Sequence, residues 1–235
     1  MDDIEILILC GGLGTRLTSI SNGVPKGLMK GPSGSPFIQE LVSELVHLGF
    51  KRIILALGYG ANEYLNFFQT QARNDVSIRF SVESTPLGTG GSIINALKVI
   101  EDNTFFVING DTKTNINYTD MLNFHKKKNA QVTVSGLELL ELRSDVGCIK
   151  YDLKTDALQE FSEKSNASNC INAGTYVFEK EVFFLKKYET NNLSLEKKII
   201  PDLIFDKKKI YLYKFYGEMH DIGTPERYNN YVQKK

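Results

Sequence analysis

The segment Ile6-Leu7-Ile8-Leu9-Cys10-Gly11-Gly12-Leu13-Gly14-Thr15-Arg16-Leu17 limits what this chain can fold into more than any other. Its run of isoleucine and leucine predicts a buried strand, and the glycines directly after it let the backbone approach a ligand without side-chain interference. Amide hydrogens there can face phosphate. Thr15 adds a hydroxyl, Arg16 a fixed guanidinium fork, and Lys26, which follows Val24-Pro25, a mobile point charge. Such a set suits the clustered negative charge of a nucleoside triphosphate. Two other phosphate motifs are excluded by spacing. A dinucleotide fingerprint would need glycine where Leu17 stands, and a P-loop would need Gly-Lys-Ser/Thr where Gly14-Thr15-Arg16 stands.

Strand-like and helix-like segments alternate through the first half, at Ile4–Leu9, Phe37–Leu48, Arg52–Leu57, Asn62–Gln71, Val76–Val82, Gly90–Ile100 and Phe105–Ile108. Phe37, Leu41, Leu45 and Leu48 fall on one helical face and Gly49 ends the run, whereas Ile53-Ile54-Leu55 reads as a strand buried on both sides. The expected fold class is α/β, a Rossmann-like, mostly parallel sheet flanked by helices. Ligands of such sheets bind beyond the carboxyl ends of the strands, where the glycine loop, Glu83 and Asp111 all fall. After Gln131 the stretches shorten, with strands at 131–137, 148–151, 157–161, 175–178 and 210–215 and helices at 180–187 and 193–205. This half is expected to be a smaller acceptor-binding β/α elaboration. The organisation expected is one domain over 1–235, with a nucleotide-binding part at 1–130 and an acceptor-binding part at 131–235.

The glycine segment with Pro25-Lys26 resembles the signature of the sugar-phosphate nucleotidyltransferases, the nucleotide-diphosphate-sugar pyrophosphorylases, Gly-Gly-x-Gly-Thr-Arg-Leu followed by Pro-Lys-Pro. Pro86-Leu87-Gly88-Thr89-Gly90-Gly91, Asn109-Gly110-Asp111, Glu163-Lys164, Asn172-Ala173-Gly174 and Asp221-Ile222-Gly223-Thr224-Pro225 follow in that family's order, so the resemblance covers most of the chain. Within the family, the first and second motifs look most like the D-glycero-α-D-manno-heptose 1-phosphate guanylyltransferases. The resemblance implies transfer of a nucleotidyl group from a nucleoside triphosphate to a sugar 1-phosphate, with pyrophosphate released. A phosphate oxygen is already ionised, so that reaction needs no protein nucleophile. It needs two anions held in line and charge stabilised on the α-phosphoryl group and the leaving pyrophosphate.

The resemblance assigns roles to particular residues. Arg16, Lys26 and Asp111 become the catalytic candidates, and Leu9, Gly11, Gly12, Gly14, Thr15, Glu83 and Gly88 the nucleotide-binding ones. Gly147, Glu163, Lys164 and Asn172 become the sugar-phosphate set, Lys164 neutralising phosphate, Glu163 and Asn172 meeting hydroxyls, and Gly147 and Gly174 leaving room for the ring. Asp111 and Asp221 become ligands of Mg²⁺, an ion that takes few carboxylates and completes its octahedron with water and phosphate. By spacing alone either aspartate reads equally as an Asx-turn or a helix cap, and Asp221 stands before the helix start Thr224-Pro225-Glu226. Glu83 bears on base choice, because a carboxylate can accept two hydrogen bonds from the guanine N1 and exocyclic amine. That favours GTP, against a bland strand-end carboxylate facing solvent.

Lys plus Arg number 28 and Asp plus Glu number 28, so overall charge points to neither nucleic acid nor membrane surface. The partners expected are a nucleoside triphosphate and a sugar 1-phosphate, with homo-oligomerisation left open. A start of Met1-Asp2-Asp3 lacks the basic and apolar regions of a signal peptide, and a cytoplasmic protein is expected. The three cysteines, Cys10, Cys148 and Cys170, lack metal-like spacing and read as reduced thiols, with the Cys10 backbone mattering more than its sulfur. His47, His125 and His220 form no catalytic set. The end shortly after Tyr231 predicts no appended hexapeptide β-helix.

One departure from the motif is Pro25-Lys26-Gly27, where Pro-Lys-Pro is usual, and the segment to Pro36 is one residue longer than in the heptose enzymes. Gly27 is expected to loosen a loop that proline would stiffen. The alternatives are a cytidylyl-, uridylyl- or thymidylyltransferase, or a non-catalytic nucleotide-sugar-binding regulatory subunit. A dehydrogenase is disfavoured by the missing third glycine and by Arg16.

Overall fold

The apolar run after Ile4 forms strand β1 (Glu5–Leu9), and parallel neighbours bind both of its edges, β2 (Arg52–Leu57) on one side and β4 (Thr104–Asn109) on the other. The structure is a computed structural model that describes residues 1–71, 74–143, 148–162 and 168–233. Its remaining strands are β3 (Ser77–Val82), β5 (Thr112–Thr114), β6 (Val132–Arg143), β7 (Cys148–Tyr151), β8 (Leu158–Ser162), β9 (Ser168–Glu179), β10 (Ile210–Phe215) and β11 (Met219–Asp221). The helices are α1 (Thr18–Ser21), α2 (Phe37–His47), α3 (Ala61–Thr70), α4 (Gly88–Ala96), α5 (Tyr118–Lys127), α6 (Ile200–Phe205) and α7 (Pro225–Val232).

The main sheet runs β10-β6-β9-β4-β1-β2-β3, so strands from both parts of the chain share one sheet. Only β9 along that order runs against its neighbours, β4 and β6. Side chains alternate across β1. Ile6 and Ile8 pack with Phe106, Ile53 and Leu55 under α2, α3 and α5, whereas Leu7 packs with Ile54, Phe105 and Val107 under α4 and α6. Two apolar layers thus enclose the sheet, the two-sided burial that continuous apolar runs predict. No helix among the described residues is long and apolar enough to cross a membrane.

Several expected elements move. Leu48 is 44 % exposed, so the buried stripe of α2 ends at Leu45. The segment 180–187 makes only a 3₁₀ turn, Lys180–Phe184, and the helix expected from Leu193 opens with a π turn, Leu195–Ile199, before α6. Pro201 lacks the N–H that a regular helix would use there, which accounts for the reset. Helix α5 was absent from the periodicity argument. Its buried Tyr118, Met121 and His125 are separated by polar Thr119, Asp120 and Asn123, but Asn117 does cap it, accepting from Asp120 N at 3.1 Å.

The amino-terminal edge of the sheet is held by charge. Glu5 is fully buried, and its Oε2 accepts from Glu101 N at 2.7 Å and Asp102 N at 2.8 Å while Oε1 pairs with Arg79. Asp102 in turn accepts from Glu5 N at 2.9 Å and from Arg52 at 2.7 Å. Glu5→Ala would leave two amide donors and a guanidinium without their acceptor. The expected loss is about 3 kcal/mol of unfolding free energy, measured by urea denaturation.

Candidate active site

The carboxyl ends of β1, β3 and β4 open into a cleft of about 380 Å³. Backbone from successive turns crosses closely there. Beyond β1, Cys10 N donates to Ala56 O at 2.8 Å, and the chain then turns away beside Gly58 and Glu83. A Cβ on Gly11 would collide with Glu83 Oε1, and one on Gly58 would lie 2.7 Å from Gly11 O, so both positions need glycine. Gly12 faces open space and Thr15 is exposed, while buried Leu17 anchors the short turn through Leu17 N to Gly14 O at 2.8 Å. Leu9, Gly11, Gly12, Gly14 and Thr15 all line the cleft.

Lys26 and Asp111 pair across the floor of the cleft, their side chains 19 % and 21 % exposed. Burial by itself would raise the Asp111 pKa and favour the neutral acid. The Lys26 charge and its hydrogen bond, with a Thr112 hydroxyl at 3.0 Å, outweigh that and hold the carboxyl below its usual range. Asp111 is therefore an anion at neutral pH. Close by, burial and the Asp111 carboxylate push the Cys10 thiol up to about 12. Asn109-Gly110 is not slack, since Asn109 ends β4 and Gly110 N donates to Leu9 O at 3.0 Å.

Strands β5 and β11 form a small antiparallel ladder that sets Asp221 opposite Thr112, and Ile222 N donates to Asp111 O at 2.9 Å. The two predicted metal ligands are thus adjacent in the fold. Asp221 accepts from Arg227 at 2.6 Å and from Gly223 N. Among the described residues no group of three or more His, Cys, Asp or Glu could hold an ion. A cation here would rest on two hard carboxylates and complete its shell with water and phosphate, a donor set that fits Mg²⁺.

Glu83 lines the cleft, but it is also a brace. Its Oε2 accepts from Leu87 N at 2.8 Å and its Oε1 from the Ser92 hydroxyl, which leaves each oxygen one further lone pair. Gly88 lines the cleft at the start of α4 with φ +77°, and a Cβ there would lie 2.6 Å from Leu193 O. Close packing on residues 192–193 thus requires this glycine, in addition to the approach of a ligand. The segment around Leu193 was missed from sequence. Leu193 N donates to Leu87 O at 2.7 Å, Gly90 N to Leu193 O at 2.8 Å, and the Thr89 hydroxyl to Glu196 at 2.8 Å, while Asn192 joins the cleft wall. The turn-prone Asn191-Asn192 pair is its only sequence signal.

Three candidates stand apart from the cleft wall. Arg16 is exposed and reaches away toward Gly223, where a Cβ would lie 3.3 Å from Nη2. Asp221 lies on the neighbouring ladder. Asn172 is committed within β9, its Nδ2 donating to Tyr176 Oη at 2.7 Å and its Oδ1 accepting from Gly174 N at 3.1 Å, so half of its bonding capacity is already used. Gly147, Glu163 and Lys164 fall outside the described residues. Of the histidines, His125 is buried against Thr133 and Glu179, and His220 pairs with Glu218. The expected slack at Gly27 is also corrected, because Lys26–Leu28 is an ordered 3₁₀ turn whose Gly27 N–H donates to Tyr64 Oη at 3.0 Å.

A glycine loop after the central strand, an acidic residue after β4 and a sheet with one reversed strand define a recognisable class. The model of the nucleotidyl transferase family matches residues 5–234, and the chain belongs to that family. It is 31 % identical over 226 residues to a mannose-1-phosphate guanylyltransferase of Mycobacterium tuberculosis, covering 95 % of this chain and 62 % of that protein. The chain thus spans about 62 % of the length of the curated relatives it matches. Among solved structures, HddC from Yersinia pseudotuberculosis superposes with a TM-score of 0.85 at 31 % identity, covering 98 % of this chain and 99 % of that one. The same protein complexed with GMP-PN gives 0.84 at 31 % identity, with the same coverage of both chains.

A thiol held near 12 is neutral through the whole physiological range. Iodoacetamide at pH 8 should leave Cys10 unmodified in the folded protein, as mapped by peptide mass spectrometry, and Asp111→Asn should increase its labelling by removing the adjacent negative charge.

Proposed function

We propose that this chain transfers a nucleotidyl group from a nucleoside triphosphate to a sugar 1-phosphate, releasing pyrophosphate. The observation that carries this reading is the Lys26–Asp111 pair at the floor of a glycine-walled cleft, in a member of the nucleotidyl transferase family. The amides after β1 and the Thr15 hydroxyl receive phosphate oxygens, and Lys26 meets the charge that develops as the α-phosphoryl group moves from pyrophosphate to the attacking oxygen. Asp111 and Asp221 would hold Mg²⁺, which when bound supplies further neutralisation of the phosphates. Arg16, which stands apart from the cleft wall and reaches toward Gly223, is assigned to the leaving pyrophosphate.

GTP is the nucleotide we assign, on the lone pairs left on the Glu83 carboxylate in the cleft. The guanylyltransferase name of the curated relatives and the GMP-PN complex of HddC support the same base. For the acceptor we propose D-glycero-α-D-manno-heptose 1-phosphate, from the motif resemblance, with mannose 1-phosphate as the second candidate because the curated relatives are named for it. Glu163, Lys164, Asn172 and Gly147 are the proposed acceptor residues. The two parts of the chain would act as one cytoplasmic enzyme.

Pyrophosphate release, measured with Mg²⁺ and both sugar 1-phosphates against GTP, CTP, UTP, dTTP and ATP separately, tests the proposal. Release with GTP is expected. Release with a pyrimidine nucleotide alone would discard the Glu83 argument, and release with none would discard the activity. Lys26→Ala should lower turnover by about 100-fold or more, roughly 3 kcal/mol of transition-state stabilisation, and Asp111→Asn should abolish the dependence on Mg²⁺ together with most of the rate.

A further inference from the structure

Lys26 sits on a turn that is gripped on both sides, and two of the gripping partners, Gly27 and Tyr64, also line the cleft. The residue before it, Pro25, packs on the corner between β2 and α3, where a Cβ on Gly60 would collide with the proline ring. The residue after it, Gly27, donates its N–H to Tyr64 Oη at 3.0 Å, and Tyr64 is only 2 % exposed. Within the turn, Leu28 N donates to Pro25 O at 2.8 Å and Met29 N to Lys26 O at 3.2 Å. The Gly27 N–H belongs to the opening of this turn, where no carbonyl of the turn can reach it, and the tyrosine takes it instead. The same corner touches the nucleotide loop, through Tyr59 N to Gly11 O at 3.4 Å.

Glycine and tyrosine here depend on each other. A Cβ at position 27 would collide with Tyr64 Oη, and a proline would bring that carbon and remove the N–H as well. A chain with proline at this position restricts the backbone by its ring. This chain restricts it by a buried hydrogen bond that Gly27 donates to a side chain 37 residues away.

We infer that Tyr64 is a positioning residue for Lys26: by holding the Gly27 N–H, its hydroxyl fixes the backbone from which the Lys26 ammonium reaches Asp111 and the cleft. The kinetic consequence rests on the nucleotidyl transfer proposed above, but the hydrogen bond itself does not. Removing the hydroxyl leaves a buried N–H without an acceptor and frees the turn. A displacement on the order of 1 Å in a charged group facing the reacting atoms can cost about 100-fold in rate. Nucleotide contacts from the glycine loop, Glu83 and Gly88 are untouched by the change, so binding should hold while turnover falls.

Two variants and two measurements test this. The variants are Tyr64→Phe and the double variant Gly27→Pro with Tyr64→Phe, and the measurements are pyrophosphate release and hydrogen exchange of peptides covering residues 25–29. Tyr64→Phe should lower kcat about tenfold or more with the nucleotide KM changed less than about threefold. Its amides at 25–29 should exchange about tenfold faster. The double variant, whose ring occupies the space the hydroxyl vacates, should recover kcat to within about threefold of the parent chain. A Tyr64→Phe variant with kcat within about twofold of the parent chain, or with unchanged exchange, overturns the inference. So does a folded double variant no faster than Tyr64→Phe. Should the double variant not fold, Tyr64→Phe alone decides. If the parent chain releases no pyrophosphate with any nucleotide, the proposed function fails, and exchange at Gly27 still determines whether Tyr64 holds the turn.

Discussion

β1 is hydrogen-bonded along both edges by parallel strands, with Leu9 opposite Ala56 on one side and Asn109 on the other. A central parallel strand cannot be followed by a tight reversal, because its neighbours occupy both sides and helices cover both faces. The chain must leave over the sheet's carboxyl edge, and the glycine loop, Glu83 and Asp111 hang from the places where these strands stop. That is why the glycines cluster there. Gly11, Gly58 and Glu83 stand within contact of one another only because their strands end side by side, and any side chain on either glycine would push the turns apart. Among the described residues the opposite edge carries none of that cleft's lining and is held by Glu5, Arg79 and Asp102.

Electrostatics at the cleft floor follow from this burial. An aspartate set into the sheet edge would be driven toward its neutral form by desolvation, and Lys26 reverses that. The pair keeps an anion and a cation ready in a place where an uncompensated charge of either sign would be costly. Its neighbours show the same field in the other direction. The Cys10 thiol and the Tyr64 hydroxyl both have their ionisation suppressed, first by burial and then by the negative charges around them. Only Lys26 and Asp111 at the floor are charged, and an incoming polyphosphate with its metal would compete for both partners of that one ion pair.

What could be read from the sequence divides along physical lines. Strands β1, β2 and β4 were legible because two-sided burial forces continuous apolar runs, β3 because an edge strand alternates apolar and polar residues, and the glycine loop because close backbone approach admits only one residue type. The contacts between Leu87–Gly91 and Leu193–Glu196 were not. Apart from the Thr89 hydroxyl bond to Glu196, the main ones are backbone hydrogen bonds between segments about 100 residues apart, and backbone groups are the same in every residue. Asn172 illustrates a third case. Its amide reads as a ligand donor and acceptor, yet half of that capacity serves Tyr176 and Gly174, a commitment visible only once β9 is seen to turn at Gly174. Helix α5 was hidden for a simpler reason, since three buried residues in a ten-residue helix are a weak periodic signal.

Gly27 shows how a local rule can fail for a non-local reason. On its own, a glycine in place of proline raises the freedom of a loop and weakens the hold on the residue beside it. In the fold, the amide that proline would lack is the amide that Tyr64 binds, and the missing side chain is what lets the tyrosine approach. The turn that carries Lys26 is therefore tied to α3, and α3 begins at the same Gly58–Gly60 corner that touches Gly11. The glycine loop and Lys26 are both referenced to one corner of the molecule. Their relative position is then set by a short path of packed backbone, and so a residue outside both motifs can govern the geometry between them.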